Sequence, residues 1–194
     1  MLFVISAPSG AGKTTIAREI LRRFPEFSFS VSATTRPRRP GERDGVDYVF
    51  LSPEEFRRRI RENRFVEWEE IFGNFYGTPV EEITRSVREG KHLLFDVDVN
   101  GALSIKRAYP ERAVLIFIRP PDIATLGERL RGRGAESEET IARRIERAEW
   151  ELTRAAEFDH VVVNDELDRA VAEVESLIRP YLDGVGTTGN NRTE

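Results

Sequence analysis

The stretch Ala7-Pro8-Ser9-Gly10-Ala11-Gly12-Lys13-Thr14 decides the fold of this chain. Its glycines let backbone N–H groups wrap an anion, Lys13 brings a positive charge, and the Thr14 hydroxyl suits Mg²⁺. Just before it, Leu2-Phe3-Val4-Ile5 is a short β-branched and aromatic run fit for a buried strand. After Lys13, apolar residues recur at helical spacing (Ile16, Ile20, Phe24) until Pro25 stops the pattern. A strand feeding a glycine-rich turn and then a helix N-terminus is an anion site by geometry. The octapeptide therefore reads as a P-loop for the terminal phosphates of a nucleotide. Ala7 stands where the general pattern has glycine. The smallest residue with a Cβ is tolerated there if its φ is negative.

Working outward, strand-like runs alternate with helical ones, which points to an α/β sheet. Phe27 to Val31 alternates apolar and polar residues, and Leu93–Val97, Val114–Ile118 and Val161–Val163 read as buried strands. Asp122 is expected to open a helix carrying Leu126 and Leu130 and closed by Gly132. Asp165 is expected to open a last helix with Leu167, Val171, Val174 and Ile178 on one face. Two stretches do not fit a simple sheet. Residues 33–82 hold the charged turn Arg36-Pro37-Arg38-Arg39-Pro40-Gly41-Glu42, a helix opened by Ser52-Pro53-Glu54-Glu55, and the strand-like Phe65-Val66-Glu67-Trp68; they read as an inserted lobe. Arg129-Leu130-Arg131-Gly132-Arg133-Gly134 sets glycines beside arginines at a helix junction, as a mobile flap requires.

A chain of 194 residues, 39% hydrophobic and 33% charged, has the composition of a globular protein with one good core. The net charge of −4 gives no reason to expect long nucleic acids as partners. Cysteine is absent, which excludes disulfides, thiolate metal sites and cysteine nucleophiles. No run approaches the length of a membrane span and no targeting segment is evident, so a cytoplasmic location is expected. Lysine occurs only at 13, 91 and 106 among 30 basic residues, so a lysine at the P-loop stands out. Asp183 to Glu194 reads as a disordered tail.

Phosphoryl transfer needs charge neutralisation and alignment more than covalent chemistry. Asp96 and Asp98 end an apolar strand, and a spacing of two is expected to put both on one face, where a carboxylate associates with Mg²⁺. Arg36 and Arg39, with Tyr48, can cradle a second phosphate, since guanidinium groups hold phosphate oxygens in pairs. Thr78-Pro79-Val80-Glu81 has the form of a capping box, so the Thr78 hydroxyl can cap a helix or face a ligand. His92 and His160 flank strands and are expected to be structural.

Beyond single motifs, Ser32-Ala33-Thr34-Thr35-Arg36, Arg39, Gly41-Glu42, Gly45-Val46-Asp47-Tyr48, Phe65–Trp68, Asn74-Phe75-Tyr76-Gly77-Thr78, Asp96-Val97-Asp98 and Val163-Asn164-Asp165 stand in the order and spacing of one family. In these motifs the chain resembles the guanylate kinases over about 160 residues, from the P-loop to Asp165. The resemblance implies a P-loop NTPase core with a parallel sheet flanked by helices, plus an inserted GMP-binding lobe and a lid. The core would comprise 1–32, 83–121 and 151–182, the lobe 33–82 and the lid 122–150. It implies transfer of the γ-phosphate of ATP to GMP, with Mg²⁺. Residues Ala7 to Thr14 and Asn164 would hold ATP, and Thr14 and Asp96 the metal. Arg36, Arg39, Tyr48 and Tyr76 would hold the GMP phosphate, while Ser32, Glu67 and Thr78 read guanine. Asp96 and Asp98 would sit between the nucleotides, and Arg129, Arg133 and Arg144 would close from the lid. Lys13 and Arg39 join these lid arginines in the catalytic set. Asn100 replaces the family's glutamine two residues after Asp98.

The same fold also serves as an adaptor without catalysis, or as a kinase for another phosphorylated acceptor. Adaptors are expected to lose the P-loop lysine and lid arginines, which this chain keeps at Lys13, Arg129 and Arg133. Ser32, Glu67 and Thr78 argue against another acceptor, because an ionised carboxylate accepts from guanine's adjacent N1–H and N2–H₂ donors.

Overall fold

The computed structural model describes residues 1–132 and 137–182. Strand β1 (Leu2–Ser6) is buried throughout because its alternate side chains serve two cores. Phe3 and Ile5 enter one apolar cluster, Leu2 and Val4 the other. A strand covered on both faces belongs inside a helix-flanked parallel sheet. That sheet also contains β2 (Phe27–Phe29), β7 (His92–Asp96), β8 (Ala113–Arg119) and β9 (His160–Val163). Its order is β2-β7-β1-β8-β9, every pairing parallel.

Helices α1 (Lys13–Arg23) and α7 (Leu167–Leu182) cover the Phe3 face with Ile16, Ile20, Val171, Val174 and Ile178. Leu126 and Leu130 of α5 (Ile123–Arg131) join them, as do Ile141 and Ala148 of α6 (Glu138–Thr153). The Leu2 face is covered by Ile83 of α3 (Val80–Arg88) and by Val99, Ala102, Leu103 and Ile105 of α4 (Val99–Ala108). Asp122 caps α5 by accepting from Thr125 N–H at 2.7 Å, and Gly132 closes that helix, as the sequence implies.

A second sheet is formed by β3 (Ala33–Thr34), β4 (Val49–Phe50), β5 (Phe65–Ile71) and β6 (Asn74–Pro79), in the order β4-β3-β6-β5. Helix α2 (Pro53–Arg61), capped by Ser52, drives Phe56 into it. The Phe56 ring stacks on Phe65 at 4.4 Å and on Phe75 at 5.4 Å, giving this small sheet a core of its own. The β5–β6 hairpin turns through Phe72 and Gly73, both at positive φ, as a two-residue hairpin turn demands.

Three local expectations give way to the tertiary structure. Strand β7 stops at Asp96, and Asp98 is instead the N-cap of α4, accepting from Gly101 N–H at 2.9 Å. Helix α3 starts at Val80 behind a Pro79 cap, so Thr78 caps nothing and lies in β6. Helix α7 starts at Leu167, one residue later than an Asp165 cap allows; the Asp165 carboxylate turns to Glu166 N–H and Arg169. The first and second corrections matter for the site. The tail from 183 to 194 and residues 133–136, Arg133 among them, lie outside the described residues.

Candidate active site

The C-terminal end of β1, the central strand, delivers the glycine-rich loop to the carboxyl end of the parallel sheet, where ligands collect in open α/β folds. Gly10 and Gly12 sit at φ +96° and +97°, conformations that only glycine takes without strain. Ala7 is not among the positive-φ residues, so its Cβ is accommodated. The loop is braced from behind. Asn164 donates its side-chain amide to the Ala11 carbonyl at 2.7 Å, and Arg129 donates to the Asn164 carbonyl at 3.0 Å. A Cβ on Gly12 would stand 2.2 Å from the Asn164 amide nitrogen, so loop and brace fit only with glycine there.

Lys13 and Thr14, the first residues of α1, both turn to Asp96 at the end of β7. Lys13 Nζ lies 2.6 Å from Asp96 Oδ1 and donates to the Val97 carbonyl at 3.0 Å. Thr14 Oγ1 donates to Asp96 Oδ2 at 2.8 Å. Burial alone would lower the Lys13 pKa; the charge of Asp96 and the bond to it outweigh burial and raise it. Lys13 is thus held as a cation. Among the described residues no cluster of three acidic or histidine side chains could cage a metal by itself. The paired oxygens of Thr14 and Asp96 fit the other arrangement, a hard cation that keeps waters and takes phosphate oxygens.

A cavity of about 370 Å³ joins this loop to the second sheet. Ser32, Arg39, Tyr48, Glu67 and Tyr76 form its far wall, with Asp96, Asp98 and Arg144 between. The Tyr48 and Tyr76 rings meet edge to face at 6.3 Å, and burial raises the Tyr48 pKa, keeping it a neutral donor. Glu67 accepts from Thr78 Oγ1 at 2.6 Å, and burial pushes its carboxyl up to about 7. The charge of Asp98 pushes the same way, while the bonds from Thr78 oppose it. Gly101, in the first turn of α4, admits the Glu67 carboxylate closely: a Cβ there would lie 2.8 Å from Oε2.

Some expected residues stand behind the cavity rather than on its wall. Arg36 gives both arms of its guanidinium to Glu42, at 3.1 and 2.7 Å, and a third bond to the Pro37 carbonyl. Glu42 also accepts from the Arg39 backbone N–H at 2.7 Å, so Arg36 shapes the turn that presents Arg39. Thr78 and Ala11 are buried behind Glu67 and the loop. Arg129 and Asn164 occupy the brace just described.

Several residues of the wall carry no motif in the sequence, Glu69 and Arg147 among them. Arg147 lies 3.1 Å from Asp98 and 3.5 Å from Glu69, and its Nε is 3.0 Å from Glu151. Asn100 donates to Glu69 at 2.9 Å. Burial and the neighbouring Asp98 hold Glu69 well above the usual carboxylate range. The available signal was spacing: Arg147 follows Arg144 by three and precedes Glu151 by four, the same-face intervals of a helix.

Comparison with known proteins identifies the family. The family model described as guanylate kinase matches residues 1–181. The chain is 52% identical to a guanylate kinase of Chlorobaculum tepidum over 181 residues, covering 93% of both chains. It is 47% identical to one of Thermotoga maritima, covering 92% of this chain and 86% of the relative. The crystal structure of guanylate kinase from Anaplasma phagocytophilum superposes with a TM-score of 0.77 at 31% identity, covering 93% of this chain and 85% of that one.

Proposed function

The chain belongs to the guanylate kinase family, and from that premise we propose how its cavity divides between two nucleotides. The enzyme transfers the γ-phosphate of ATP to GMP, giving ADP and GDP. The observation that carries the division is one continuous cavity with a backbone anion loop at one end and the Glu67–Thr78 pair at the other.

ATP takes the loop end. The N–H groups from Ser9 to Thr14 and the charge of Lys13 neutralise its terminal phosphates as negative charge shifts during transfer. Thr14 and Asp96 would hold Mg²⁺, which supplies charge neutralisation between the phosphates. GMP takes the second sheet, which serves as its lobe. Arg39, Tyr48 and Tyr76 receive its phosphate, and Arg36 acts through the turn it shapes. Ser32 and Glu67 face the base, with the Thr78 hydroxyl fixing the carboxylate. Helices α5 and α6 serve as the lid: Arg144 stands on the cavity wall, Arg129 approaches from the Asn164 brace, and Arg133 completes the set. The lobe's 82 boundary falls inside α3 and the lid's 150 boundary inside α6, so the natural joints are Pro79 and Thr153. Among the described residues no helix is long and apolar enough to cross a membrane, and both substrates belong to the cytoplasmic nucleotide pool.

Production of ADP with GMP, AMP, CMP and UMP offered in turn tests the reading. Turnover confined to GMP supports it. Equal turnover with AMP would remove the role given to Glu67.

A further inference from the structure

The assignment above leaves Glu69 and Arg147 without a task, yet both line the cavity and they come from opposite sides of it. Glu69 is on β5 of the GMP lobe and Arg147 on α6 of the lid. One Arg147 nitrogen, Nη2, lies 3.5 Å from Glu69 Oε1 and 3.1 Å from Asp98 Oδ2. Glu151, one turn along α6, aims the guanidinium through Nε at 3.0 Å. Asn100, on α4 of the core, donates to Glu69 Oε1 at 2.9 Å. The same guanidinium lies over the Phe72 ring at the β5–β6 turn, 5.8 Å from its centre. Among the described residues Glu69 Oε2 is buried with no hydrogen-bond donor, and the Glu69 carboxyl also lies against Asp98; burial and this contact raise its pKa.

We propose that Glu69 and Arg147 are positioning residues that latch the GMP lobe to the lid helix and hold Asp98 on the cavity wall. The proposal rests on the functional reading above. Three carboxylates, Glu69, Asp98 and Glu151, share one guanidinium in a space half shut off from water. Without Arg147 the half-buried Glu69 carboxyl is held protonated beside Asp98 with no cation to offset its burial, and moving the lobe away so that it can ionise in water becomes more favourable. Without Glu69, Arg147 keeps Asp98 and Glu151, so the lobe loses its tie but gains no repulsion. With the latch intact, GMP meets a site whose two sides are already together. Without it, the closed arrangement is only a fraction of the population, and apparent affinity falls by that fraction. Once both nucleotides are bound the lobe is closed in either case, so kcat changes little.

The test combines two readouts on the full chain: hydrogen exchange of β5 without added nucleotide, and steady-state kinetics with GMP varied at saturating ATP. Arg147→Ala is expected to speed exchange in β5 and raise GMP KM about tenfold or more, with kcat within about threefold of wild type. Glu69→Ala is expected to raise KM by a smaller factor, about threefold, and Glu69→Gln, whose amide still accepts from Asn100 and Arg147, to stay near wild type. The double variant is expected to resemble Glu69→Ala alone, because removing Glu69 also removes the lobe carboxyl that Arg147→Ala leaves without its cation. Arg147→Lys keeps the charge without the fork and serves if the alanine variant does not fold; its KM is expected between wild type and Glu69→Ala. A double variant whose KM factor is the product of the two singles would overturn the latch. So would loss of kcat at unchanged KM, which would place Arg147 on the transferring phosphoryl. Wild-type protein that turned over no GMP would sink the functional reading, while β5 exchange would still judge the latch.

Discussion

The two ends of the cavity are built by different means. The ATP end comes from one contiguous stretch, Ala7 to Thr14, whose binding groups are mostly backbone N–H and whose shape depends on two glycines at positive φ. The GMP end is assembled from side chains scattered over Ser32, Arg39, Tyr48, Glu67, Tyr76 and Asp98, on the second sheet, the segments beside it and the N-cap of α4. A backbone site is robust to most side-chain changes and fails at its glycines or its one cation. A side-chain site can lose each recognition step separately. At the ATP end charge is settled in advance, with Lys13 held as a cation by Asp96. At the GMP end it is left open, with Glu67 poised near neutrality.

The largest effect should come from the ATP end. Lys13→Met removes the one side-chain cation of the loop without disturbing either apolar cluster. It is expected to lower kcat by about a hundredfold or more, roughly 3 kcal/mol of barrier, with GMP binding measured calorimetrically close to wild type. Near-normal turnover in a folded Lys13→Met protein would erase the division between the two ends.

Next comes Glu67→Gln, which should act on GMP and leave ATP KM alone. Exchanging an acceptor for an amide that also donates sets a donor against guanine's N1–H or N2–H₂. It is expected to cost about 2 kcal/mol in kcat/KM for GMP. The GMP/AMP ratio should narrow, since the amide can donate to adenine N1. An unchanged ratio would mean that Glu67 does not read the base.

Gly101→Ala probes the same end through sterics alone. The backbone there is helical and needs no glycine for its φ, but a methyl would press on Glu67 Oε2 at 2.8 Å and Asp98 Oδ1 at 3.0 Å. GMP KM is expected to rise about tenfold through displaced carboxylates, with ATP KM unchanged. A parallel rise in ATP KM would show that the two ends are not separable at α4.

The smallest effect is a pH dependence. Below about 7 the Glu67 carboxyl is neutral and presents an O–H; above it the carboxylate accepts. GMP KM should therefore fall severalfold from pH 6 to pH 8, and this limb should be missing in Glu67→Gln, which separates it from ionisation of the GMP phosphate. The stability sign is opposite. A carboxyl raised from 4.5 to about 7 on folding contributes stability that is fully present below 4.5 and lost as pH rises through 7. Glu67→Gln should accordingly melt higher than wild type at pH 8, and a lower melting temperature there would contradict the burial cost assigned to Glu67.

The parallel core was legible because its signals are local and agree with one another. Apolar runs wrote β1, β7, β8 and β9, Pro25 ended α1, and Asp122 and Gly132 bracketed α5. The loop's brace was not legible: nothing near Ala11 announces that Asn164, 153 residues away, will hold its carbonyl. Thr78 shows why local patterns can mislead. Thr-Pro-Val-Glu is a sound capping box on paper, but a buried Glu67 across the hairpin offers its hydroxyl a charge-assisted bond, which is stronger than a neutral cap.

By itself, then, the amino-acid sequence determined the anion loop, the α/β core and the kind of chemistry, because these depend on φ preferences, periodicity and residue types within a few positions. Which charges meet was decided only by the tertiary structure. Arg36, legible as a phosphate ligand, is taken by Glu42, while Arg147 and Glu69, which carry no motif, converge on Asp98. The physical reason is that a long cation chooses its partner by distance and burial, and both are set by how two sheets and the lid helix pack around one cavity.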